Sequence, residues 1–394
     1  MEEGGGPVIY LDNGATSRTD PEVIAVMTQV MKEDFANPSS LHALGGKAER
    51  LVKQAREIVA DLLNALPNEI VFTSGGTEAN NLALKGIAFA YKNRGAHLIT
   101  SKIEHPSVYE VCKQLEEWGW KITYLSVDAK GRVDPAAVKR AITDKTVLVS
   151  IMHVNNEVGT IQPIQEIGQI LKDYPKVFFH VDAVQSFGKL PIYPKEWNID
   201  LLSLSGHKFH GPKGVGALYI RRGIQLSPLL TGGGQEQGIR SGTLNVPGIV
   251  GLAKAVSLAK QKQMEKAEKV FQWKQSFLSR IQDQLRNVII NGDTTQDGGS
   301  PYVLNLSFPN LKSEVIVHFL ESEGCYVSSK SACSSKIEKP SRVLLAMGLT
   351  PAEALGSIRV TMGFDSSEED LATLADLLVS IIPKLQQMVK GQKK

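Results

Sequence analysis

Apolar residues come in short runs along the first two-thirds of the chain: EIVFTS, AHLITS, KITYLSV, VLVSIMHV, KVFFHVDA, DLLSLS and GALYI. Their brevity and β-branched content predict strands. Between several of them lie amphipathic stretches, SVYEVCKQLEEWG and IQEIGQILKDY among them, whose apolar spacing predicts helices. Strand and helix in alternation predict an α/β domain, with a mostly parallel central sheet flanked by helices on both faces. Such sheets bind ligands beyond the carboxyl ends of their strands.

From about Val250 the texture changes. Leu252 to Val288 is long, charge-rich and poor in breakers, the pattern of a connector helix or helix pair. YVLNLSFP, EVIVHFLESEG, CYVSS, SIRVTMGF and an amphipathic stretch from Ser367 then predict a smaller α+β unit. The expected division is a large domain over residues 17–255 and a small domain built from residues 1–16 and 256–394.

Composition narrows the function. A chain of 394 residues, 42% of them hydrophobic, is ordinary globular composition and has room for two cores. The net charge of +3 is small for this length, and no dense basic block interleaves with aromatics, which argues against nucleic acid as the main partner. The acidic, glycine-rich start MEEGGGPVIY lacks a secretory pattern, and no apolar run approaches a membrane span, so a cytoplasmic protein is expected. Three scattered cysteines, Cys112, Cys325 and Cys333, make neither a disulfide framework nor a zinc site, and no metal is expected. They fit a reducing compartment.

The polar residues at the predicted strand ends carry the chemistry. Asp182 closes FFHVDAVQ, with Gln185 three residues on, and Lys208 follows DLLSLS in SGHKFHGPKG. An N-cap role for the acid, or an ion pair between the two, would each account for part of this. In FTSGGTEANNLAL a strand runs into Gly75 and Gly76, and a helix begins at about Thr77 or Glu78, which suits a phosphate. Ser205 and His207 flank the lysine as further donors, and Thr243 sits in another glycine-punctuated polar loop, GIRSGTLN. His105 follows a strand in SKIEHPSV, with Pro106 suited to the first helical position. Asn155 and Asn156 follow another in HVNNEVGT. A lysine, an acid at a strand end and a phosphate cradle in one crevice together fit pyridoxal 5'-phosphate.

Taken together, SGGTEANN, EHPSV, HVNNEVGTIQPI, HVDAVQSFGK, SGHKFHGPKGVGALYI, GGGQEQGIRSGTLNV, SSKSACSS and SIRVTMG resemble the cysteine desulfurases that supply sulfur for iron–sulfur cluster assembly, within the fold-type I pyridoxal-phosphate enzymes. The resemblance runs from about Tyr10 through the terminal helix. It implies that Lys208 is the Schiff-base lysine and that Asp182 partners the pyridine nitrogen. It further implies that Gln185 bonds the ring hydroxyl and that His105 stacks on the ring. Gly76, Thr77, Ser205 and His207 would hold the phosphate, joined by Thr243 from the second subunit of a homodimer. Asn156 would lie beside cofactor and substrate, and Arg359 would clamp the carboxylate of L-cysteine, as a guanidinium fork can.

Of the cysteines, Cys112 shares a helical apolar face with Val108 and Leu115, and Cys325 follows Gly324 at a strand start; both read as structural. Cys333 lies in the small, polar stretch VSSKSACSSKIEKPS, where Lys330 and Lys336 favour its thiolate. The resemblance makes Cys333 the nucleophile that receives sulfur as a persulfide and hands it to an acceptor protein such as an iron–sulfur scaffold. Lys330 stands where relatives commonly carry glycine, a departure that bears on the movement of this loop. Aminotransferases and selenocysteine lyases share the fold; the aminotransferase needs no thiol, whereas the lyase shares nearly every motif.

Overall fold

A computed structural model of the chain describes residues 8–329 and 340–391. Its strands are β1 (Ile9–Tyr10), β2 (Ile70–Thr73), β3 (His97–Ser101), β4 (Lys121–Leu125), β5 (Thr146–Met152), β6 (Phe178–Asp182), β7 (Leu201–Ser205), β8 (Gly216–Ile220), β9 (Ile289–Asn291), β10 (Val303–Ser307), β11 (Cys325–Tyr326) and β12 (Ser357–Thr361). Strands β2 to β8 are the seven apolar runs read from the sequence. They form one sheet in the order β2-β8-β7-β6-β5-β3-β4. All pairings are parallel except those of β8, which runs antiparallel to both neighbours.

Alternate residues of each strand enter different cores. Ile70 and Phe72 of β2, Leu202 and Leu204 of β7, and Ala217 and Tyr219 of β8 face one side. There they pack with helices Pro21–Glu33, Ala43–Leu62 and Ile164–Leu171 and the start of Val246–Gln284. Val71, Leu201 and Leu218 face the other side, under helices Gly76–Ala90 and Pro106–Glu117. Burial of both faces is why these strands read as continuous apolar runs rather than as strict alternation.

A second core gathers the antiparallel sheet β12-β10-β9, helices Ser313–Ser322 and Glu368–Gly391, and the later turns of Val246–Gln284. That long helix is a single element spanning both cores, and it begins before the predicted Leu252, where Asn245 caps Gly248 N–H and Pro247 occupies the first turn. Ile9 and Leu11 also lie in this second core, because β1 pairs with β11. The chain therefore starts in the second unit. At Asn13–Gly14–Ala15 it turns under the open edge of the large sheet.

Candidate active site

Strands β2, β3, β5, β6 and β7 end at one edge of the sheet, and the residues that follow them line a cleft of about 170 Å³. Gly76, Thr77, His105, Asn156, Asp182, Gln185, Ser205, His207, Lys208 and Arg359 all border it. Of the ten, nine come from the ends of these strands; Arg359 comes from β12 of the second sheet.

Lys208 is placed by a short helical turn that leaves β7. Its Nζ donates to the carbonyls of Gly14 at 2.5 Å and Ala15 at 2.9 Å, so the N-terminal turn holds the amine at the cleft wall. Asp182 is buried at the end of β6. Its Oδ1 accepts from Val184 N–H at 3.0 Å in a turn, not at the start of a helix as an N-cap role would require, and its Oδ2 accepts from Asn80 Nδ2 at 2.8 Å. Burial pushes this carboxyl up; the bonds from Val184 and Asn80 and the charge of Lys208 pull it back. A buried acid held this way is suited to a protonated ring nitrogen.

Gln185 donates to Gly14 carbonyl at 3.1 Å, while its Oε1 is buried without a partner, an acceptor ready for a ligand hydroxyl. Helix Gly76–Ala90 has no side-chain cap, so its first-turn N–H groups are left for an acceptor outside the helix. Gly75 precedes it with φ of +148°, and a Cβ there would sit 3.5 Å from Ser205 Oγ. A Cβ on Gly76 would meet Val184 Cγ2 at 2.6 Å. Ser205 and His207 border the same corner. Burial first, then the charges of Lys208, Lys213 and Lys189, push the His207 imidazole down to about 4. With an uncapped helix start, a hydroxyl and an imidazole around one corner, an orphaned acceptor in Gln185 and an acid and a lysine on the walls, the residues fit pyridoxal 5'-phosphate.

His105 ends the turn after β3 and is the N-cap of helix Pro106–Glu117, with Pro106 in its first turn as the sequence predicted. Burial and the charges of Lys208, Arg342 and Arg359 lower its imidazole to about 4, so the ring is neutral at pH 7. Arg342 stacks on the Tyr109 ring and donates to the carbonyls of Lys102 and Glu104, pinning the turn that carries His105.

Arg359 is a buried guanidinium bordering the cleft. Its Nη2 meets Asp12 Oδ1 at 2.9 Å, its Nη1 donates to Asn156 carbonyl at 3.1 Å, and its Nε has no partner. Asp12, Asn80, Ser107, Gly14 and Ala15 are site residues to which the sequence reading gave no role. They lay within or beside the quoted motifs, but nothing in their spacing pointed to their contacts.

Thr243 is exposed and is not among the residues bordering the cleft. Cys333, with Lys330 and Lys336, lies outside the described residues. The flanks of that segment are described: Ser328 exchanges backbone bonds with Arg359, and Ser341 Oγ donates to Glu157 Oε2 at 2.5 Å. Cys112 and Cys325 are buried, and burial pushes both thiols up, Cys325 to about 12.

The family model Aminotransferase class-V matches residues 9–374. A cysteine desulfurase IscS of Dictyoglomus turgidum is 46% identical, covering 96% of this chain and 95% of the relative. A solved NIFS-like protein superposes with a TM-score of 0.90 at 38% identity, covering 96% of this chain and all of the other. The structure of SspA in complex with cysteine gives a TM-score of 0.79 at 40% identity, over 90% of this chain and 98% of that one.

Proposed function

Because this chain belongs to the class-V aminotransferase family and, within it, to the pyridoxal-phosphate-dependent cysteine desulfurases, we propose the following roles for its residues. It converts L-cysteine to L-alanine with the cofactor on Lys208, and it holds the released sulfur as a persulfide on Cys333. The sulfur then passes to an acceptor protein for iron–sulfur cluster, other sulfur cofactor or tRNA biosynthesis. The observation that carries this reading is the convergence of Lys208, Asp182, Gln185, His105 and Arg359 on one cleft. A solved relative that holds cysteine supports the substrate.

Bound pyridoxal phosphate supplies an electron sink for charge developing at the substrate α-carbon. Asp182 holds the proton of the ring nitrogen, Gln185 Oε1 accepts the ring hydroxyl, and the start of helix Gly76–Ala90 with Ser205 and His207 holds the phosphate. Arg359 and Asn156 orient the substrate at its carboxylate. Lys208 Nζ takes the α-proton, and neutral His105 stacks on the cofactor ring. The Cys333 thiolate attacks the substrate sulfur. An S–S bond forms as the substrate C–S bond breaks, and its electron pair stays with the three-carbon fragment, which takes up protons and leaves as alanine. Two facts support Cys333: the other two thiols are buried with raised pKa, and both flanks of its segment fasten beside the cleft.

The functional unit in this reading is a homodimer, in which exposed Thr243 reaches the partner's phosphate site. Exposed Phe35, Leu41 and Leu44 supply apolar surface for the contact. The unit divides into a large domain over residues 17–255 and a small one over residues 1–16 and 256–394. A cytoplasmic, reducing setting is part of the same reading, since Cys333 must stay a free thiol. Among the described residues no helix is long and apolar enough to cross a membrane.

Mass spectrometry after addition of L-cysteine tests the chemistry. One extra sulfur on Cys333 and free alanine are expected. Cys333→Ser should keep the cofactor and its colour but transfer no sulfur; full turnover by that variant sinks the assignment.

A further inference from the structure

Beside the cleft, four side chains form one hydrogen-bonded line that the roles above do not explain. Asn80 Nδ2 donates to Asp182 Oδ2 at 2.8 Å and to Ser107 Oγ at 2.8 Å. Ser107 Oγ lies 2.8 Å from His105 Nδ1, and the Ser107 backbone N–H donates to the same nitrogen at 3.2 Å. Asn80 is 1% exposed, and its Oδ1 is buried without a partner.

The directions in this line follow from what each group can do. An amide nitrogen only donates, so Ser107 Oγ offers a lone pair to Asn80 and keeps its own hydrogen for His105. A backbone N–H also only donates. Nδ1 of His105 is therefore an acceptor twice over, and the neutral ring carries its hydrogen on Nε2, the nitrogen not tied to Ser107. Reversing the Asn80 amide would set its Oδ1 against the Asp182 carboxylate, acceptor against acceptor. The orphaned Oδ1 is the cost of aiming both hydrogens at Asp182 and Ser107.

We propose that Asn80 and Ser107 are positioning residues that fix the His105 tautomer and hold the Asp182 carboxylate, so that both groups meet the cofactor as one coupled unit. The proposal rests on the functional reading above. Two acceptor bonds at Nδ1 favour the neutral ring, acting with its burial and with Lys208, Arg342 and Arg359, the charged groups that act on it. Asp182 acts on the ring through the line itself. Glu104, the preceding residue, turns instead to Ser101 Oγ at 2.6 Å and Met152 N–H at 3.2 Å.

The test is a pH titration of ring nitrogens by ¹⁵N NMR on cofactor-loaded, histidine-labelled protein, with His105→Gln assigning the signal among the eight histidines. Wild type should show one tautomer, with hydrogen on Nε2, and a midpoint below the ordinary histidine value, as burial of the ring and the charges of Arg342 and Arg359 dictate. Ser107→Ala and Asn80→Ala should each mix the tautomers and raise the midpoint toward the ordinary histidine value. The double variant should go no further than the larger single change, because the two act in series. Ser107→Thr, which keeps the hydroxyl, should restore the wild-type signal. The pH midpoint of the bound cofactor's absorption should move in Asn80→Ala, which touches Asp182, and hold in Ser107→Ala.

Variants that keep the wild-type tautomer and both midpoints, whatever their melting temperature, overturn the proposal. If Asn80→Ala does not fold, Ser107→Ala removes one hydroxyl and still decides. Failure of wild type to form alanine and a Cys333 persulfide, with the His105 effects intact, overturns the functional reading instead.

Discussion

Arg359 reaches the cleft with part of its hydrogen-bonding capacity already engaged, by Asp12 on one side and the Asn156 carbonyl on the other. Both contacts fix the plane of the guanidinium, so in the proposed role a substrate carboxylate would meet a fork that is oriented in advance. A lysine at this position keeps the charge and loses the plane. Arg359→Lys is expected to raise KM for L-cysteine by about 10- to 100-fold, the loss of one charge-assisted bond, while the cofactor spectrum is unchanged. Cysteamine, which has no carboxylate, separates the causes: steady-state kinetics should show little effect of the variant on it. Equal losses for both compounds would remove Arg359 from the carboxylate. At this scale the sequence was legible where one residue's place at a strand end sets its position at the cleft, as for Asp182, Lys208 and His105. It was not legible for Asn80 or Asp12, because their roles are contacts made across 102 and 347 residues of chain. No local periodicity encodes such a contact.

Among the elements, β8 shows how the corner proposed for the phosphate is kept open. It is the antiparallel strand between β2 and β7, and it begins at Gly216 beside the turn that carries Gly75. A Cβ on Gly216 would lie 2.4 Å from Leu204 carbonyl and 2.8 Å from Gly75 Cα, against backbone on both sides. Gly216→Ala must therefore push β8 away from its neighbours. Thermal unfolding of the cofactor-free protein should show a loss of about 1–3 kcal/mol. Cofactor titration should show weaker binding than in a variant equally destabilised elsewhere, since Gly75 moves with the strand. All seven strands of the large sheet were legible as apolar runs: six are buried along their whole length, which leaves few polar positions in them, and the half-exposed edge strand β4 reads through its Ile, Thr and Tyr. The two-residue β1 and three-residue β9 were not, since runs so short carry no periodicity and are defined by the partners they pair with.

For the molecule as a whole, the large core encloses ionisable side chains whose proton affinities burial has shifted. His153 is buried after β5, edge-on to Trp197 at 5.4 Å, with Nδ1 unpartnered; burial lowers its imidazole to about 4. His180 lies within β6 between Ser150 and Ser203, and burial lowers it to about 3. A histidine whose folded pKa is depressed contributes stability that is fully present above its unfolded value of about 6.5 and is lost as pH falls through the folded one. For His153 the window runs from 6.5 down to about 4. Glu104 acts in the opposite sense: burial raises it from 4.5 to about 8, so its contribution declines as pH rises through that range. The two slopes oppose each other in the wild type, and only a variant separates them. His153→Phe keeps a ring against Trp197 and removes one proton-binding site. In denaturant unfolding at pH 6.5 and pH 5, wild type should lose about 1.5 kcal/mol more than His153→Phe, since the one-proton slope of about 1.4 kcal/mol per pH unit is only half developed at pH 6.5. Equal losses in the two proteins would mean that His153 is protonated inside the fold, which its buried position beside Trp197, with Nδ1 unpartnered, argues against.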